Sequence, residues 1–95
     1  MNIRRLKMSD ETAELVRTLH PELKRKIKAA LQSVLSDPLS GKVLRDELEG
    51  LQSYKVGKFR MVYKTVTDKG IIEVVAIGPR KTIYEETLRL LKKEK

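Results

Sequence analysis

Two short runs hold the residues best able to do chemistry. Ser53 to Lys64 reads SYKVGKFRMVYK and sets Lys55, Lys58, Arg60 and Lys64 among apolar residues with no acid between them. AIGPRKTIY places Arg80 and Lys81 just past a β-branched run, with Tyr84 close behind. Cations without acidic neighbours suit a polyanion, and a ring beside them can stack on a base, worth about 1–3 kcal/mol per base in single-strand binders. In a strand, Phe59, Met61 and Tyr63 share one side, while Arg60, Val62 and Lys64 share the other. Lys55, on the adjoining strand, can join the basic side. The same pattern suits a solvated sheet face or a lysine-guarded edge. Tyr84 equally suits a helix face packed on the sheet with Leu88 and Leu91.

Composition agrees with an anionic partner. The chain has 95 residues, 21 Lys and Arg against 13 acids, and a formal charge of +8. With a sequence pI near 9.9, nucleic acid is the leading candidate. Cysteine is absent, which excludes disulfides and thiolate metal sites and suits a reducing cytoplasm. The N-terminal MNIRRLKMSDE lacks an apolar signal core, and no apolar run approaches the roughly 18 residues of a membrane span, so a soluble cytoplasmic protein without membrane contact is expected. His20, the one histidine, precedes Pro21 and reads as a turn or helix cap rather than a catalytic base or metal ligand. The acids fall in local runs, Asp10/Glu11/Glu14, Asp46/Glu47/Glu49 and Glu85/Glu86, which read as helix-terminal or solvated charge. No glycine-rich phosphate loop is present, and neither a metal nor a cofactor is expected.

The elements that must position these groups follow from periodicity. Ser9 or Asp10 caps a first helix carrying Ala13, Val16 and Leu19. From Pro21, the spacing of Leu23, Ile27, Ala30, Leu31, Val34 and Leu35 predicts a second helix that Asp37-Pro38 ends. The short link makes the two a hairpin. Strands are predicted at Gln52–Val56, Phe59–Val66 and Ile71–Ile77, with tight turns at Gly57-Lys58 and at Thr67 to Gly70. Asn2 to Met8 is read as an edge strand and Ser36 to Leu51 as a connection. A last helix follows Gly78-Pro79, with Tyr84, Leu88 and Leu91 on one face. The expected fold is a single α+β domain over residues 1–95, of order β-α-α-β-β-β-α. An antiparallel sheet of about four strands carries the hairpin on one face, leaving Arg60 and Lys64 on the uncovered face.

Together, LEGLQSYKVGKFRMVYK and IIEVVAIGPRKTIY resemble the RelE/ParE superfamily of toxins, especially its RelE branch, in the patterns L-x-G, Y-x-V-G-x-[YF]-R and I-G-x-R-x-x-x-Y. The resemblance implies a RelE-like fold and a toxin of a type II toxin–antitoxin pair that cuts messenger RNA in the ribosomal A site. It implies catalytic roles for Lys55, Arg60, Arg80 and Tyr84, with Lys58, Lys64 and Lys81 as further RNA-binding cations. Pro79 departs from the histidine or lysine that many relatives carry there. The implied reaction needs no metal, because the RNA 2′-hydroxyl attacks the adjacent phosphate; Lys55 either helps remove its proton or stabilises the phosphorane. The implied partners are messenger RNA, the 16S rRNA surface of the ribosome and a cognate antitoxin, the toxin alone being a monomer. Two alternatives stay open: a ParE-like inhibitor of DNA gyrase, and a degenerate module that only binds an antitoxin.

Overall fold

The computed structural model describes residues 5–93. Ser9 caps α1 (Asp10–Thr18), its hydroxyl accepting from the Thr12 N–H at 3.1 Å, with Asp10 and Glu11 in the first turn and Arg17 in the last, as the helix dipole favours. His20 caps α2 (Pro21–Ser36), where its Nδ1 accepts from the Glu22 N–H at 3.3 Å, and Pro21 opens the first turn. The predicted face of α2 is the buried one, through Ile27, Ala30, Leu31 and Val34.

Five strands form one sheet: β1 (Arg5–Met8), β2 (Lys42–Val43), β3 (Gln52–Val56), β4 (Phe59–Val66) and β5 (Ile71–Pro79), in spatial order β1-β5-β4-β3-β2. The α+β class stands, with three corrections. First, β2 lies in the segment read as a connection; it is two residues long and both are exposed, so no alternation pattern marks it. Second, β1 pairs parallel with β5, while the other pairs are antiparallel. Residues 2–4 of the expected edge strand lie outside the described residues. Third, α3 (Ile83–Lys93) covers part of the face expected to be bare.

The sheet therefore has a core on each side. On one side Val56, Met61, Tyr63, Ile72, Val74 and Ile77 pack with α2, joined by Val16 of α1 and by Leu19, which caps it. On the other side Leu44, Leu51, Val62 and Ala76 pack with Ile83 of α3. α3 packs through the buried Ile83 and Thr87 with the half-buried Tyr84, Leu90 and Leu91; Leu88 is half-buried and joins neither core. Thr87 is tolerated there because its hydroxyl donates to the Ile83 carbonyl at 2.7 Å. β4 sits between the two cores, and its Met61, Val62 and Tyr63 are all 0 % exposed.

Tyr63 ties the α2–β2 connection to the sheet. Its hydroxyl donates to the Pro38 carbonyl at 2.8 Å and accepts from the Gly41 N–H at 3.0 Å. Glycine is required at 41 because a Cβ there would overlap the phenol, 2.9 Å from Cε1 and 3.0 Å from Cζ. Tyr63→Phe, which orphans both backbone groups, is expected to cost about 1–3 kcal/mol in urea unfolding, and Gly41→Ala is expected to be destabilising as well. Burial, the largest influence, pushes the phenol above its ordinary value of 10.0. The unfolded chain then loses the proton first, so this contribution is whole below that value and fades as pH climbs above it. Stability measured upward from that pH should fall more steeply in the wild type than in Tyr63→Phe.

Candidate active site

The β3–β4 hairpin sets the site. Gly57 has φ +61 and Lys58 does not share it, the signature of a type II′ turn whose twist suits a two-residue connection. That turn fixes Val56 opposite Phe59 and Lys55 opposite Arg60. Alternation then puts Ser53, Lys55, Arg60, Val62 and Lys64 on the α3 side, as expected for the last three. Lys55 and Arg60 are thus like charges in direct cross-strand register, an arrangement that weakens a sheet.

A bulge supplies the other flank of Arg60. Tyr63 pairs with Val74 but Val62 pairs with Ala76, leaving Val75 as the extra residue on β5. Continued without the bulge, the register would set Ile77 beside Arg60; with it, the neighbour is Gly78. A side chain at 78 would also crowd α3, since its Cβ would lie 3.2 Å from Ile83 Cδ1. Bulges of this kind commonly re-aim side chains beside active sites. Arg60 is half-buried, and its Nε has no protein acceptor.

Backbone contacts gather the remaining groups at the same end of the sheet. The Arg80 N–H donates to the Lys58 carbonyl at 3.0 Å, so the hairpin turn and the exit of β5 are fastened together. Tyr84, half-buried, packs against the α3-side core and donates from its hydroxyl to Ser53 Oγ at 3.3 Å. The packing expected of Tyr84 as a helix-face residue is observed, and its hydroxyl is anchored on the strand that carries Lys55. Among the described residues, Lys55, Lys58, Arg60, Arg80 and Lys81 make no ion pair. Lys64 does, with its Nζ 3.0 Å from Glu73 Oε1. Lys64 is therefore not one of the unneutralised cations; its acid comes from β5, directly opposite, and was invisible within the run itself.

Three residues escaped the sequence reading. Ser53 is 2 % exposed inside β3; its alternation with Lys55 was the signal. Lys42 and Arg45 line, with Tyr84, a groove of about 600 Å³ alongside the basic cluster. Their charge was visible, but β2, which brings them there, was not. Among the described residues, no helix is long and apolar enough to cross a membrane.

This arrangement of helices and sheet is a known one. The family model described as ParE toxin of type II toxin–antitoxin system, parDE, matches residues 6–84. The chain belongs to that family and is a toxin of a type II toxin–antitoxin system. A comparison with curated protein sequences finds no match. Solved structures share the fold: a free double-arginine mutant of the Escherichia coli toxin RelE has 21 % identity, a TM-score of 0.75 and 94 % coverage of each chain. A chain of the Mycobacterium tuberculosis RelBE2 toxin–antitoxin complex has 22 % identity and a TM-score of 0.70, covering 80 % of this chain and 96 % of that one. A chain of the archaeal RelE–RelB complex of Pyrococcus horikoshii has 18 % identity and a TM-score of 0.68, covering 82 % and 96 %. The RelE/ParE resemblance is met in both family and fold.

The electrostatic strain between Lys55 and Arg60 is measurable. Lys55→Gln should raise stability by about 0.2–1 kcal/mol at low salt, and the gain should shrink at high salt as the repulsion is screened. An unchanged or lowered melting temperature at low salt would contradict the repulsion.

Proposed function

We propose that the protein is an endoribonuclease that cuts messenger RNA on the ribosome, with Lys55, Arg60, Arg80 and Tyr84 as its catalytic residues. The observation that carries this reading is the Lys55–Arg60 register: two cations face each other across β3 and β4 without a paired acid among the described residues. Held unneutralised at a cost to the sheet, such a pair suits a phosphate that arrives from outside.

RNA brings its own nucleophile. The 2′-oxygen forms a bond to the adjacent phosphorus as its proton departs, and the bond from phosphorus to the 5′-oxygen breaks. The leaving oxygen takes up a proton, and the products end in a cyclic phosphate and a 5′-hydroxyl. Positioning and charge stabilisation are the protein's share. Arg60 and Arg80 hold the non-bridging oxygens, Lys55 sits beside the attacking oxygen, and Tyr84 stacks on a nucleotide with its hydroxyl fixed by Ser53. Lys58 and Lys81 lend positive charge along the strand; Lys64 lends less, being paired with Glu73. The reaction calls for no cofactor.

In this reading the toxin is a cytoplasmic monomer when alone, and a cognate antitoxin, as in the RelE–RelB complex, restrains it by covering the basic cluster. One observation favours a second target: the matching family is that of ParE toxins, whose members include inhibitors of DNA gyrase.

Single-turnover cleavage of ribosome-bound message tests the proposal. Arg80→Ala should slow it by roughly 10²–10³, as for removal of one oxyanion donor. Tyr84→Phe should retain most activity because the ring still stacks, whereas Tyr84→Ala should not. Intact message together with blocked gyrase supercoiling would replace this reading with the second one.

A further inference from the structure

We infer that the N-terminal half of α2 is a docking face for the phosphate backbone of folded RNA, separate from the strand that is cut. The inference rests on the reading of the protein as an RNA-acting toxin, and it adds the surface on which a structured RNA is held.

Lys24, Arg25, Lys26 and Lys28 crowd the first two turns of α2, all exposed except the half-buried Lys24. The positive end of the helix dipole lies there and disfavours cations, while the last turn, where cations would stabilise the helix, has none. Lys24 and Lys28 also stand at i,i+4, a repulsive spacing. Among the described residues none of the four is in an ion pair. Placed for helix stability, these charges would sit at the other end.

Their arrangement selects the ligand. At 100° per residue the four side chains fan over more than half of the helix circumference, which matches phosphates on two sides of a groove better than one bound peptide. A protein partner also needs apolar anchors, and no large hydrophobic side chain is exposed on α2. Lysine, a hydrated point charge, meets a phosphate without fixed geometry. The face reaches the edge of the sheet whose other side carries the candidate active site: Lys26, Ala29 and Ser33 line a groove of about 310 Å³ with Tyr54, Lys55 and Gly57. An RNA lying on α2 can therefore extend around the edge of β3 toward Lys55.

The test uses the full chain and a short A-form RNA duplex, whose regular geometry keeps its 2′-hydroxyls out of line for cleavage. Binding is followed by anisotropy across a salt series. Changing Lys24→Gln, Arg25→Gln, Lys26→Gln and Lys28→Gln together should weaken duplex binding on the order of 100-fold near 0.1 M salt. The salt slope should become shallower by about one for each cation that meets a phosphate. Glutamine keeps helix propensity and removes the repulsion, so the melting temperature should hold or rise. With protein in saturating excess, single-turnover cleavage of ribosome-bound message by this variant should match the wild type. Arg60→Ala/Arg80→Ala should do the opposite, losing cleavage while duplex binding stays near wild type. Absence of cleavage of ribosome-bound message by the wild type would thus remove the nuclease reading and leave the duplex measurement standing. Unchanged duplex affinity and slope in the fourfold variant would overturn the inference. So would weakened binding of an acidic polypeptide with RNA binding intact, which would make α2 a protein interface.

Discussion

The whole fold depends on β4 being buried from both sides. Its centre lies between an α2-side core and an α3-side core, so a slip of one residue would carry Met61 and Tyr63 to the wrong layer and expose nothing useful in exchange. The register this enforces is inherited by both neighbouring strands. Through β3 it sets Lys55 against Arg60, and through the bulge in β5 it sets Gly78, not Ile77, on the other flank. Apolar packing in the middle of the strand thus holds together, at its end, charges that repel.

That division of labour explains why the cluster lies where it does. α3 covers the middle of its face through Ile83 and Leu91, and the basic residues gather where the β3–β4 turn and the exit of β5 are joined by the Arg80 to Lys58 hydrogen bond. Lys64, farther along the same face, is neutralised by Glu73, whereas Arg60 is met by a glycine. Positive charge is therefore paired at one end of β4 and left available at the other. The helix that supplies Tyr84 is fastened at the available end by the hydroxyl contact with Ser53.

Much of this was legible in the sequence, and for identifiable reasons. α2 declared itself through one strong apolar stripe; the Ser9 and His20 caps and the Gly57 turn are local devices with local signatures. Alternation along β4 placed Arg60 correctly, and motif likeness singled out Arg80 and Tyr84. What stayed hidden is non-local. β2 has two exposed residues and exists only because β3 accepts it. The parallel partner of β1 lies more than sixty residues away along the chain. The stripe of α3 was read at Tyr84 and Leu91 but missed Thr87, a polar residue that occupies a wholly buried position by satisfying itself on Ile83. The Lys64–Glu73 pair joins residues whose neighbourhood depends on strand order.

The central claim is that the cations around Arg60 and Arg80 act on messenger RNA. Its most direct measurement is a map of cellular RNA ends after induced expression of the chain, beside the Arg60→Ala/Arg80→Ala variant at equal folded level. New ends inside translated messages, in register with the reading frame and absent with the variant, are the predicted result. Growth arrest with intact messages would contradict it.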